Sequence, residues 1–285
     1  MTATTVVGSW RTAAARTRPA GRLAAVPPTV VVAFAVLLVV LLWSLAPGIF
    51  ASQDPVNGVP ADKLLGPSAA HWFGTDHLGR DLFSRVVHGT ASSVTSALVA
   101  VTIGVVVGGA IGLVAGSTGG WTDVVLARVV DVLLAIPSFL LAVVVVSSLG
   151  FQTVNAAIAT GISAVAVFAR VMRAEVIKTR RAVFVEAAVL QGGSRTHVLL
   201  RHVLPNASRS LLALAVLQFG LSILVIAGLA FLGYGDPPPA SDWGLLVSSG
   251  KDYPTAPWLV YAPALVVVAT VVSVNRISRW LRRTD

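Results

Sequence analysis

Apolar residues fall in long blocks, and nearly all charges lie in the gaps between them. Thr29 to Leu45 is an uncharged apolar run close to the ~20 residues that a bilayer span needs. Five more blocks follow: Ser92 to Gly116, Val124 to Leu149, Asn155 to Ala169, Leu211 to Leu232, and Trp258 to Val274. The pattern predicts an all-α polytopic membrane protein with six transmembrane helices. Inside the second block, Gly104, Gly108, Gly112 and Gly116 are four apart. They predict a small-residue face on which another helix backbone packs. Inside the third block, Arg128 and Asp131 are three apart and so neighbours on a helix surface. A carboxylate within a span costs about 2.5 to 3.5 kcal/mol, so a structural pair between these two is expected near the start of that helix. Pro137 predicts a kink. Gln218 and Ser222, four apart in the fifth block, are candidates for polar contacts between helices.

The polar gaps carry organisation of their own. Arg181 to Leu190 holds no Gly or Pro and reads as a short helix stopped by Gly192-Gly193. Ser194 can cap a second short helix, which Pro205 is expected to end. Leu199 with Val203 and Leu200 with Leu204 would give that helix an apolar face. In the first long connection, Gly74 and Gly79 predict turns, Asp76 a cap, and Arg80 a pairing with a carboxylate. His71, Asp76, His77, Asp81 and His88 cluster there, but without the His spacing and supporting carboxylate of a metal site, so no metal is expected.

Composition agrees with a membrane location. The chain of 285 residues is 55% hydrophobic and 12% charged, with mean hydropathy +0.83; soluble domains carry about 25% charged residues. The net charge of +9 is not a nucleic-acid signal, because no basic patch is interleaved with stacking aromatics. Positive charge instead sits at the ends of the blocks. With six spans and termini on one side, 17 of the 21 Lys and Arg fall on that side and 4 on the other. Lys and Arg are retained in the cytoplasm, so both termini and the 172–210 connection are expected there. There is no Cys, hence no disulfide framework and no thiol nucleophile.

Three stretches carry a family resemblance. Glu186-Ala187-Ala188, then Gly192, then Leu204-Pro205 resembles the EAA loop of ABC importer permeases, with His202 where that pattern usually has Ile. Gly74-Thr75-Asp76 with Gly79-Arg80-Asp81 resembles the extracytoplasmic loop of the dipeptide, oligopeptide and nickel branch. Pro237-Pro238, then four residues, then Trp243-Gly244 resembles that branch's last loop, and Thr255-Ala256-Pro257-Trp258 continues the match. The end of the chain departs: Asn275-Arg276-Ile277-Ser278-Arg279-Trp280 replaces a Gly-Asp-Gly-Leu-Arg-Asp-like tail. The resemblance implies the six-helix fold of binding-protein-dependent ABC importer permeases, in a bacterial cytoplasmic membrane. It implies a half-pore working with a second homologous permease, two cytoplasmic ATPases and an extracytoplasmic substrate-binding protein. Cargo would be di- or oligopeptides, with nickel or glutathione as alternatives. ATP and Mg would be held by the ATPases and no cofactor by this chain, which lacks a Gly-x-x-x-x-Gly-Lys-Ser/Thr phosphate loop.

The implied organisation is a cytoplasmic arm (1–28), a first span with its long extracytoplasmic loop (29–91), a permease core (92–275) containing the coupling loop (172–210), and a cytoplasmic tail (276–285). An ion-coupled secondary transporter would need ionisable groups deep in several spans, where Asp131 stands nearly alone. A membrane-embedded enzyme would need paired carboxylates, a Ser/His set or a metal motif at membrane depth, and none is visible. The charge asymmetry gives a direct test in a chain without cysteine. Pro60→Cys should react with an impermeant maleimide on intact cells, and Gly193→Cys only after the membrane is opened. Labelling of Gly193→Cys from outside would reverse the assignment.

Overall fold

In a computed structural model, the described residues are 27–284, with side chains to Trp280. The expected arm, apart from Pro27 and Pro28, lies outside them. Among the described residues the chain is helical, with one isolated bridge between Thr75 and Asp81. Helix α1 is Pro28–Leu45, followed by a one-turn helix at Pro47–Phe50. Helix α2 is Leu82–Thr118, continuous through a π turn at Gly104–Gly108. Helices α3 (Gly120–Ala135) and α4 (Ser138–Leu149) meet at 91°. Helix α5 is Thr153–Arg180, α6 is Val183–Leu190, and α7 is Arg195–Phe231, with a second π turn at Leu199–Val203. Helix α8 is Trp243–Gly250, and α9 is Trp258–Thr284. Five helices (α1, α2, α5, α7, α9) are long and apolar enough to cross a bilayer, and the bent pair α3–α4 makes a sixth segment.

Several boundaries differ from the sequence reading. Helix α2 begins at Leu82, ten residues earlier than expected, because the Asp81 carboxylate accepts from the Ser84 amide at 2.7 Å and caps the helix there. The residues read as the end of a polar loop are its first turns. At Pro137 the third span does not bend gently but breaks, since Ile136 is extended (ψ 127°) and the chain restarts on a new axis. The expected tail is no separate segment. Helix α9 runs through it, and Arg276 donates to Thr29 Oγ1 at 2.7 and 3.0 Å, tying α9 to the start of α1. Phe34 meets Trp280 edge-on nearby. Ser222 Oγ is buried without a hydrogen-bond partner, so the expected polar contact there is absent.

Helix α5 is the axis of the fold. Its composition suits that place: alternating Ala, Gly, Ser and Thr keep its girth small, and most of its length is buried. The glycine face of α2 lies against it. A Cβ at Gly104 would strike the Phe168 ring, at Gly108 the Val165 carbonyl, at Gly112 the Ala169 carbonyl, and at Gly116 the Val176 side chain. Lipid supplies no hydrophobic drive between helices, so this backbone-to-backbone approach is a main source of α2–α5 cohesion. Gly108→Leu or Gly112→Leu should therefore cut the yield of monodisperse protein in detergent several-fold, since overpacking a close seam costs about 1 to 3 kcal/mol. Wild-type yield from both variants would mean that the two helices part without cost.

Candidate coupling site and the loops that oppose it

Helix α5 ends at Arg180, and only Arg181 and Ala182 separate it from α6. Helix α6 ends in a Schellman motif. The Gly193 amide donates to the Ala188 carbonyl at 3.1 Å, and the Gly192 amide to Val189 at 3.0 Å. Gly192 has φ +86°, with nothing within 4 Å of where a Cβ would stand. Glycine is thus required there by backbone conformation rather than by space. Ser194 accepts from the His197 amide at 3.3 Å and caps α7.

Pro205 does not end a second short helix, contrary to expectation; α7 runs through it. The π turn at Leu199–Val203 comes just before, so the proline lies where hydrogen bonding has already left the ordinary i→i−4 pattern. The Asn206 side-chain amide covers the His202 carbonyl at 2.6 Å. The buried residues of this segment are Val198, Val203, Ala207 and Leu211. They pack with Val176 of α5 and with Val185, the one buried residue of α6. Leu204 is half-buried and joins the same cluster.

The rest of α6 faces outward. Val183 and Leu190 are 81% and 88% exposed, with Phe184 and Val189 also bare. Glu186 and Ala187 lie in the open and Ala188 is half-buried. The helix is therefore held mainly by Val185, with Ala188 beside it, while presenting an apolar surface with one carboxylate. Scattered exposed apolar residues are ordinary, whereas four on one eight-residue helix mark an interaction surface.

The opposing loop is built on Asp76. Its Oδ1 accepts from the Leu78 and Arg80 amides at 2.8 and 3.0 Å, and its Oδ2 from Arg80 Nε at 2.7 Å and an Arg85 guanidinium nitrogen at 3.0 Å. Asp76 does not cap a helix, as expected from sequence, but closes its own turn between Gly74 and Gly79 and binds two arginines. Burial alone would raise its pKa; the hydrogen bonds from Arg80 and Leu78 outweigh that and hold it below the ordinary carboxylate value. Arg85 also donates to the Ala240 carbonyl at 2.9 Å. His71 meets the capping Asp81 at 3.0 Å. Thr75 Oγ1 donates to the Asp62 carbonyl and accepts from the Leu65 amide at 2.8 Å.

The sequence reading took the 233–257 connection as polar loop and missed α8. The signal was present in Asp242, whose carboxylate accepts from the Gly244 and Leu245 amides, both at 3.1 Å. Trp243 is fully buried; its amide donates to Ser93 Oγ and its indole to the Val86 carbonyl. The expected Arg128–Asp131 pair does not form. Asp131 pairs instead with Arg170 of α5 at 2.6 Å, because α3 turns that side toward α5.

These features agree with the chain's relatives. Residues 108–284 match the family described as binding-protein-dependent transport system inner membrane component. The chain belongs to that family. A dipeptide transport system permease protein of Alkalihalophilus pseudofirmus is 37% identical over 98% of this chain and 90% of its own length. A glutathione transport system permease protein of Shigella flexneri is 40% identical over 87% of this chain and 83% of its own. A chain of the MetNI methionine ABC transporter, solved in inward-facing conformations, superimposes with TM-score 0.58 at 15% identity, covering 70% of this chain and 95% of that one. The fold is that of an importer permease, and the protein is a multi-pass membrane subunit.

The Asp76 network generates a stability test on this permease. Asp76→Asn would leave two buried guanidinium groups without their carboxylate, at a cost of about 3 to 5 kcal/mol, and thermal unfolding in detergent should shift down accordingly. Because the folded pKa is depressed, the carboxylate's contribution is complete above the ordinary Asp value and disappears as pH falls through the lower folded value. An unchanged midpoint in Asp76→Asn at neutral pH would show that the network holds nothing.

Proposed function

We propose that this permease is the pore-forming subunit of an ATP-driven importer of di- or oligopeptides, coupled to cytoplasmic ATPases through α6. The observation that carries the reading is the geometry of α6. It is an exposed apolar helix with Glu186 at its centre, set at the end of the axial helix and stopped by a glycine that only a positive φ requires. Such a surface suits docking into a partner's cleft, where Ala187 permits close approach and Glu186 offers a charge-assisted hydrogen bond. The partners in this reading are a second homologous permease, two ATPases that hold ATP and Mg, and an extracytoplasmic binding protein. This chain binds no cofactor and performs no hydrolysis. Both termini and α6 lie in the cytoplasm, and the Asp76 loop faces the binding protein.

ATP-driven closure of the ATPases would displace α6, and the displacement would rock the spans between outward and inward access. Peptide cargo rests on relatives named for dipeptide transport. A second reading, glutathione, is favoured by relatives at 39% and 40% identity named for that cargo, itself a small peptide. Choice between them would lie largely with the binding protein.

Glu186→Ala and Gly192→Val test the coupling surface in the reconstituted complex. Loss of one charge-assisted contact costs about 1.5 to 3 kcal/mol, enough to weaken docking without unfolding the spans. A β-branched residue at φ +86° would be strained and would misdirect the start of α7. Uptake of labelled dipeptide should collapse in both, with substrate-stimulated ATPase activity falling alongside it and membrane abundance near normal. Wild-type uptake in both variants would make α6 a passive linker.

A further inference from the structure

We infer that Arg170 and Arg173 of α5 are positioning residues that carry the movement of the coupling helix to α3, so that α3 travels with α5 during transport. The inference rests on the importer reading above and concerns which span follows α6.

Helix α3 is the most weakly anchored of the membrane segments. Val130 is its one buried residue, packed with Ala166 and Ala169 of α5. At its start stands Gly119-Gly120, both with positive φ (68° and 59°), where a Cβ would meet nothing within 4 Å. At its end is the 91° break at Pro137. A helix set between a glycine turn and a break has few ways to follow its neighbours. Beside that small apolar contact, α3 is tied to α5 by two ion pairs. Asp123 takes Arg173 in a fork, with Nε to Oδ1 at 2.5 Å and the second contact at 2.8 Å. Asp131, about two turns further along α3, takes Arg170 at 2.6 Å.

The arginines sit where they can transmit. Arg170, Arg173 and Arg180 lie on one side of α5, within about 80° of each other at 100° per residue, and span about 15 Å of its length. Arg180, next to the α6 link, donates to the Gly116 and Ser117 carbonyls at 2.8 and 2.7 Å and so holds the end of α2. A guanidinium suits a helix C-terminus, where unpaired carbonyls and the helix dipole both favour a cation. The same stretch of α5 therefore grips α2 through carbonyls and glycines, and α3 through carboxylates. A forked Arg–carboxylate pair fixes orientation as well as distance, which the small apolar cluster of Val130, Leu133 and Leu134 with Ala166 and Ala169 does not. Displacement of α6 moves α5, and the ion pairs make α3 move with it; the glycine turn at Gly119-Gly120 and the break at Pro137 are where α3 can change its angle to α2 and α4.

The test uses the full importer complex in proteoliposomes. Asp123→Asn and Arg173→Met should each lower ATP-driven uptake at least tenfold relative to wild type, while basal ATP hydrolysis by the docked ATPases is retained. Val130→Cys with Ala169→Cys, added to a chain that has no cysteine of its own, should form a disulfide that replaces the ion pairs. Oxidation should restore uptake to the single variants, and reductant should abolish it again. A structural role alone would not produce that redox-dependent rescue. Wild-type uptake in the single variants, or no rescue at full disulfide yield, overturns the inference. If the single variants fail to reach the membrane, the disulfide in the otherwise wild-type chain decides. Continued uptake when oxidised supports α3 travelling with α5, and loss of uptake shows that the two must separate, which overturns it. Absence of ATP-driven uptake by the wild-type complex would instead count against the importer reading itself.

Discussion

The structure depends on how closely α2 can approach α5. In lipid, two apolar helices gain little from excluding solvent, and their attraction comes from dispersion across a well-fitted seam. Gly104 to Gly116 supply that fit by placing the α2 backbone directly on Phe168, Val165, Ala169 and Val176. With this seam closed, α5 is fixed as an axis against which α7 and α4 pack, the latter through Ala142 and Val146 on Ala156, Ala157 and Ala159. Helix α6 inherits its place from the same axis, since it follows α5 after two residues.

The two ends of the molecule are built on different principles. At the Asp76 end, buried Asp76 is paired with Arg80 and Arg85, and α8 is sunk into the helices through Trp243. Burial pushes the Asp242 carboxyl above its ordinary pKa despite the two amides it caps. At the α6 end, charge is exposed or paired at the surface, and apolar side chains are left bare. One end is closed mainly by contacts within the chain, and the other leaves apolar surface bare.

Much of this was legible in the sequence, for physical reasons. Apolar block length reports spans because the bilayer core has a set thickness, and glycines four apart report a seam because a helix repeats at that interval. Helix α6 could be read because Gly192-Gly193 is a stop signal with a mechanism. What could not be read is partner choice over long separations. Asp131 has Arg128 three residues away in sequence, yet pairs with Arg170, 39 residues on. The start of α2 was hidden because charged residues at a helix N-terminus look like loop until the Asp81 cap is seen. Helix α8 was hidden because eight residues between prolines give too short a period to detect. Continuation through Pro205 was hidden because a π turn leaves no signature in composition.

That π turn gives loop length a meaning beyond reach. A wider turn in an otherwise regular helix shifts the phase of everything on one side of it. Val198 and Val203 are five apart while Val203, Ala207 and Leu211 are four apart, yet all four lie on the buried side. Removing one residue from 199–203 would return the segment to ordinary pitch and turn the preceding stretch by about 100° about the helix axis. The number of residues between Gly192 and Leu204 therefore acts as an angular setting. It fixes which side of this short helical segment points at the spans and which points away, even where the side chains in between are free to vary.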